Sequence, residues 1–326
     1  MTQQKYTVKI FLAFALLVCL MLFHLNGAKF YWDTNFETTD SFILFEEIRL
    51  PRTLTAILAG SSISIAGLLM QTLFKNPLAG PSILGITSGS SLFVALYTMT
   101  GMRLFSSNWD IISAGILGAL LFSIIILFFS NYVRQQTTLL IIGMMLGSFT
   151  NSIIQIIENQ TIAEKLQTYN FWGFGSLQHV YIEQIPLILL TFILACLMII
   201  SCVKSLNAII LGETIAQHLG IHLNKTRLLI IISTAILTGV TTAFCGPISF
   251  VGLAVPNLAK IWLRTTNHTI LLIASAFMGS VFLLFCDCII LLLEDVIQLP
   301  INSITSLIGA PFVVWLLLKK RIHDNM

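Results

Sequence analysis

Charge is what this sequence has least of. Only 10% of its 326 residues are Asp, Glu, Lys or Arg, against 56% that are hydrophobic, whereas a soluble domain carries about 25% charged residues. With a mean hydropathy of +0.93, an ordinary soluble fold is excluded and an all-α, polytopic membrane protein is implied. A nucleotide-binding loop is missing too: no G-x-x-x-x-G-K-[ST] stretch occurs, so the phosphate cradle such a loop builds is not expected. The net charge of +3 is small and its carriers are dispersed, which argues against nucleic acid as a partner. Six cysteines, Cys19, Cys196, Cys202, Cys245, Cys286 and Cys288, all lie in or beside apolar runs. A buried thiol behaves as a small hydrophobe, so neither disulfides nor redox chemistry is implied. The triplet Cys286-Asp287-Cys288 offers soft ligands, but adjacent helix residues diverge around the axis and cannot converge on one ion. No metal or cofactor is expected.

What the sequence has is a succession of apolar runs. A helix needs about 20 apolar residues to cross a bilayer, and such runs occur at Ile10 to Leu25, Leu54 to Phe74, Ile111 to Phe129, Thr138 to Ile157, Ile185 to Val203, Leu228 to Phe244, Ile248 to Leu263, Thr269 to Leu293 and Ile304 to Leu318. A further run follows the break at Lys75-Asn76-Pro77 and is threaded with Gly80, Pro81, Gly85 and Gly89. That makes ten spans in a single domain, 1–326. The first resembles a signal peptide, but Phe23-His24-Leu25-Asn26 fits a cleavage site poorly, and it reads as a retained helix.

Ten spans put both termini on one side. With that side cytoplasmic, Lys5, Lys9, Lys75, Arg134, Lys204, Lys225, Arg227, Lys260, Arg264, Lys319, Lys320 and Arg321 lie inside, twelve of the 17 basic residues. Lys29, Arg49, Arg52, Arg103 and Lys165 lie outside, the asymmetry expected of cytoplasmic loops. Gly80-Pro81-Ser82-Ile83-Leu84-Gly85-Ile86 resembles Gly246-Pro247-Ile248-Ser249-Phe250-Val251-Gly252-Leu253. Spans two to five and seven to ten are then inverted copies, unless Gly-Pro simply breaks tight membrane hairpins.

The chain is organised around Arg49 to Ser91. Two arginines flank Leu50-Pro51, and Gly60, Ser61, Ser62, Ser64, Ala66 and Gly67 leave room for a close helix neighbour. RLPR, followed by GLLMQTLFKNPLAGPSILGITSG, resembles the second and third helices of permease subunits of ABC importers for iron-siderophore, haem and cobalamin, the FecCD type. The resemblance covers nearly the whole chain. CGPISFVGLAVPNLAKIWL is similar to the family's GxIxFVGLxVPHxxR element, with Asn257 where the family has His and Lys260 where it has Arg; Asn cannot titrate near neutral pH. LPINSITSLIGAPFVVWLLLKKR matches the pattern before the last helix.

The resemblance implies roles for particular residues. The inner loop LNAIILGETIAQHLGIHLNKTR, within 204–227, has room for a short helix with Gly220 near its end. It resembles the segment that docks in a cleft of the ATPase subunit, carried here by Leu211, Gly212, Glu213, Ala216, Gln217, Leu219 and Gly220; an amphipathic helix resting at the interface is the plainer reading. Tyr169 to Leu177 resembles an outer gating helix, with Trp172, Gly175 and Ser176 in the motif, although aromatic clusters also form interfacial belts. Arg49 and Arg52 are expected to pair with acidic residues of an extracellular substrate-binding lipoprotein, or to anchor the second helix by snorkelling. Pathway and hinge positions would be Met70, Gln71, Asn76, Pro77, Gly85, Gly143, Ser148, Pro256 and Asn257. Pro256 removes a backbone donor and bends its helix.

Asp287 is the one ionisable residue clearly inside a span. A proton relay and a hydrogen-bonded structural carboxylate are both open to it; the Arg the family has one turn later is Leu291 here. The resemblance implies a permease in the bacterial cytoplasmic membrane, paired with an identical or homologous permease, driven by cytoplasmic ATPase subunits and surrounded by lipid. A bulky, delocalised chelate is the expected cargo, a ferric siderophore or other iron chelate first, then haem, then cobalamin. A secondary transporter would show more intramembrane charge, and a membrane-embedded enzyme would need convergent catalytic groups that the spans do not offer.

Overall fold

A computed structural model describes residues 2–26, 44–101, 109–133, 135–294 and 296–324. Lys29, Arg103 and Arg134, which entered the orientation argument, lie outside the described residues. Among the described residues twelve α-helices follow one another: α1 Thr2–Leu25, α2 Leu50–Leu73, α3 Ile86–Thr100, α4 Asp110–Tyr132, α5 Gln136–Glu158, α6 Ala163–Gly173, α7 Ile185–Ile210, α8 Glu213–His218, α9 Leu223–Cys245, α10 Val251–Leu263, α11 His268–Leu293 and α12 Ile301–Asp324. Among the described residues there is no strand.

The fold is polytopic and all-α. Seven described helices are long and apolar enough to cross a membrane: α1, α2 with its lead-in, α4, α5, α7, α9 and α11. Three expected spans are shorter or broken. α3 has 15 residues and α10 has 13, about 20 Å each at 1.5 Å per residue; α12 carries Pro311 inside it. The reason for the short pair lies in the Gly-Pro segments. After Gly80, Pro81–Leu84 forms one 3₁₀ turn and Gly85 takes a left-handed backbone before α3 begins. After Gly246, the chain runs irregularly to Phe250 and only then enters α10. Irregular backbone at membrane depth is tolerated where it is buried in protein or lines a wet cavity; Pro81 and Gly246 are buried, and Ser249 is exposed.

α2 is the hub. All but three of its residues are buried, and it packs on α11, α9, α10 and α7. Its small residues make this possible. A methyl built on Gly67 would lie 1.7 Å from the Gly252 carbonyl oxygen, and one on Gly60 would lie 2.3 Å from that of Gly279. The backbones of α2, α10 and α11 therefore touch, and dispersion over that contact does what the hydrophobic effect cannot do in lipid.

Candidate functional site

The expected site residues fall at the two ends of the bundle and along α5. At one end, where α1 finishes and α2 begins, Arg52 is buried rather than outward-facing. Its Nε and Nη2 donate to the two Asp287 oxygens at 2.7 and 2.9 Å, a bidentate pair of the strong kind. His24 Nε2 sits 2.7 Å from Asp287 Oδ2, and its Nδ1 lies 2.8 Å from Thr53 Oγ1. Thr53 Oγ1 also donates to the Arg49 carbonyl at 2.7 Å. Glu294 stands 3.8 Å from the Arg52 guanidinium. Three helices are thus tied together by one carboxylate: α1 through His24, α2 through Arg52 and α11 through Asp287. Arg49 is half-buried and donates to the Leu25 carbonyl at 3.4 Å. Of the two expected docking cations, Arg52 is engaged inside the protein and Arg49 is the more available.

Asp287 is accordingly a hydrogen-bonded carboxylate. Sequence reasoning placed it alone in its span and missed both partners, because His24 closes a run that looks like any first helix and Arg52 opens another. The signal was there in principle: helix direction puts residue 24, residue 52 and residue 287 at the same end.

The residues expected at an outer gate are brought together at this end. α6 delivers Trp172, and Gly175 turns the chain with φ +75°. Ser176 N–H donates to the Cys245 carbonyl at 2.8 Å. Asn302, in the first turn of α12, donates to the Pro247 carbonyl at 2.6 Å and reaches the Gly173 carbonyl at 3.4 Å. The 172–176 segment is therefore stitched to the Gly-Pro break before α10 and to α12. Tyr169 stacks on Trp172 with centroids 6.2 Å apart. Burial, reinforced by Glu158, pushes the Tyr169 phenol up to about 12, so it remains a neutral donor.

At the opposite end, α8 is a six-residue helix held by its flanks. Gly212 and Gly220 both have positive φ, +120° and +79°. Gly220 N–H bonds to the Gln217 carbonyl and Ile221 N–H to that of Ala216, at 2.9 and 3.1 Å, a closure that a left-handed glycine permits. Ala216 is fully buried, whereas Leu211, Ile215 and Leu219 are 62%, 48% and 63% exposed. Ile215 and Leu219, four apart, make one apolar stripe turned away from the bundle; Leu211 lies before the break at Gly212, outside the helix. Glu213 fastens the helix: Arg227 Nη2 approaches its two oxygens at 3.1 and 3.2 Å, and Gln136 donates to it from the start of α5. Gln217 is exposed beside the stripe.

The expected pathway residues separate into several sets. Met70 is fully buried in the core. Gln71, Pro77 and Asn257 form a polar joint: Asn257 donates to the Pro77 and Leu253 carbonyls at 2.7 and 2.8 Å, and Gln71 donates to the same Leu253 carbonyl at 3.2 Å. Asn257 thus acts as a hydrogen-bond clamp beside Pro256, a task for which titration is unnecessary. Asn76 caps the turn by accepting from Leu78 N–H at 2.9 Å. Gly85 and Gly143 meet, with a methyl on Gly143 lying 2.3 Å from the Ile83 carbonyl, so α5 rests directly on the 81–84 turn.

Ser148 belongs to a different surface. α5 is largely unburied, and along its exposed side Ser148, Asn151, Ser152 and Gln155 recur at helical spacing among Met144, Met145 and Phe149. Sequence reasoning found Ser148 by resemblance and missed the other three. Polar positions three and four apart in an apolar helix were the available signal.

A model of the FecCD transport family matches residues 10–319. The vitamin B12 import system permease protein BtuC of Salmonella arizonae is 31% identical over 320 residues, covering 97% of this chain and 96% of that protein. The BtuC of Klebsiella pneumoniae is 31% identical over 312 residues, covering 95% and 93%. A solved structure of a metal-chelate type ABC transporter in an inward-facing conformation superposes with a TM-score of 0.87 at 28% identity, covering 96% of this chain and 99% of that one. PsaBC from Streptococcus pneumoniae shares the fold with a TM-score of 0.57 at 18% identity.

Proposed function

From the premise that the chain belongs to the FecCD transport family and is an ABC importer permease, we propose that it forms one half of a pathway for a bulky metal chelate across the bacterial cytoplasmic membrane. The second half is another permease, identical or homologous. The observation that carries the reading is the exposed face of α5. Ser152 can spend its hydroxyl on the Ser148 carbonyl at 3.1 Å, but Ser148, Asn151 and Gln155 would be misplaced against lipid, where an unpaired polar group is costly. Against a second permease across a wet seam they are in place. Neutral amides and hydroxyls suit a large polar chelate, whereas a bare cation would call for carboxylates.

In this reading both termini and α8 lie on the cytoplasmic side and the Arg52 end faces out. Spans two to five and seven to ten are inverted copies, each with a short helix after a Gly-Pro break. The Ile215 and Leu219 stripe, together with Leu211, docks a cytoplasmic ATPase subunit. The 172–176 segment gates the outer mouth, and the Gln71, Pro77 and Asn257 joint is the hinge. A ferric siderophore is the first cargo, with haem in the same class. Cobalamin is the second reading, favoured by the likeness to vitamin B12 permeases over nearly the full chain. The deciding experiment is ATP-dependent uptake into vesicles holding the permease, its ATPase and its binding protein, offered ferric siderophore, haem and cobalamin in turn. Saturable uptake of one of the three identifies the cargo; concentrative uptake by the permease with no ATPase sinks the reading.

Arg49 offers a separate check. Charge reversal, Arg49→Glu, should weaken docking of the binding protein at low salt about tenfold and matter less at 0.5 M salt, as surface steering does. Equal affinity of wild type and variant at both salt concentrations would remove Arg49 from the docking surface.

A further inference from the structure

Among the described residues, three that are not glycine hold a positive φ: Lys75, Phe250 and Arg264. Two of these, Lys75 at +49° and Arg264 at +52°, line the same cavity. It measures about 910 Å³ and lies at the α8 end, between the C-terminal ends of α2, α7 and α10 and the first turn of α11. Lys260 joins the two at its wall, with Thr265 and Thr266; among the described residues no acidic side chain lines it.

The backbone makes this arrangement costly. A left-handed residue with a side chain costs about 1–2 kcal/mol, and glycine or asparagine usually stands just past a helix end. After α2, Asn76 N–H closes on the Gln71 carbonyl at 3.2 Å with Lys75 between. After α10, Arg264 N–H closes on the Lys260 carbonyl at 2.8 Å. A cation near a helix C-terminus complements the helix dipole, but any position in the last turn serves that purpose. The dipole explains the charge and leaves the conformation unexplained.

The protein neutralises the cluster only in part. Lys260 Nζ donates to Gln71 at 2.8 Å. Lys75 Nζ is 3.8 Å from Glu213, a carboxylate already taken by Arg227. The Arg264 guanidinium has no hydrogen-bond or ion-pair partner among the described residues. The first α11 amides are spent, Asn267 N–H on Thr265, His268 N–H on Asn207 and Thr269 N–H on Asn267.

We propose that the cavity binds a phosphate group, from an anionic lipid headgroup or from inorganic phosphate, held by Lys75, Lys260 and Arg264. Three cations around one space match a multiply charged tetrahedral anion, and an arginine fork engages two of its oxygens at once. The cavity stands at helix ends, the depth at which headgroups lie. The inference goes beyond the transport reading and holds whatever the cargo.

The test follows the thermal midpoint of the full chain in neutral detergent as potassium phosphate replaces potassium chloride at matched ionic strength. The same midpoint is followed in phosphatidylcholine nanodiscs with and without phosphatidylglycerol. A saturable rise with phosphate in detergent identifies the free ion, a rise with phosphatidylglycerol alone identifies the headgroup, and a rise in both makes the phosphate group itself the determinant. Lys75→Asn combined with Arg264→Asn should weaken the response at least tenfold. The same pair should raise the midpoint of the unliganded chain, because Asn accepts the left-handed backbone; that rise separates lost ligation from misfolding. No saturable response in either arm overturns the proposal, as does an equal response from wild type and the paired variant.

Discussion

Asp287→Ala should destabilise the chain by about 3–5 kcal/mol, the cost of leaving a buried cation without its partner. Arg52 is 5% exposed and His24 1% exposed, so neither can turn to water when the carboxylate is gone. Glu294, 3.8 Å from the guanidinium, can take over part of the charge, which favours the lower end of the range. The decisive comparison is a double-mutant cycle by denaturant titration in detergent. Arg52→Met and Asp287→Leu should each be severe alone, and together should recover most of the loss, because an apolar pair of similar volume involves no desolvated charge. Additive losses would mean that the carboxylate and guanidinium do not act as a pair. A proton-relay role makes a different prediction: the double variant would fold and still fail to transport.

The same cluster shows what could be read from the sequence and what could not. Helices announced by long apolar runs were legible, because a membrane leaves the backbone few alternatives. The centrality of Arg49 to Ser91 was legible as well, since Gly60 and Gly67 in an apolar helix signal close backbone approach, and the contacts with Gly279 and Gly252 bear this out. Helix ends near Gly80-Pro81 and Gly246-Pro247 were harder: composition there is as apolar as in a span, and only the geometry shows a 3₁₀ turn in one and irregular backbone in the other. Long-range pairings were legible only to the level of which bundle end a residue shares. Nothing local in Phe23-His24-Leu25 announces a bond to a residue 263 positions away. Lys75 and Arg264 read as two inner-loop cations among twelve, and their left-handed backbones appear only in three dimensions.

Truncating the α8 stripe should have the largest functional effect. Ile215→Ala and Leu219→Ala each remove an exposed aliphatic side chain next to a helix whose other face is pinned by buried Ala216. If these side chains fill a cleft in the ATPase subunit they are central anchors, worth about 2 kcal/mol apiece when truncated, or roughly a thirtyfold loss of affinity for each. Folding of the permease should be unaffected, since the fastening of α8 by Glu213 and Arg227 is untouched. Gly220→Val probes the fixed angle of α8 rather than the anchor. A Cβ there meets nothing within 4 Å, but φ +79° imposes about 1–2 kcal/mol of strain on any L-residue, so the loop should relax and α8 should lose its fixed angle. The truncations should therefore weaken ATPase binding, measured by titration of the purified subunit, while Gly220→Val should leave binding nearly intact and lower uptake per ATP hydrolysed. Wild-type affinity in the Ile215→Ala, Leu219→Ala double variant would place the stripe against lipid and take the coupling role away from α8.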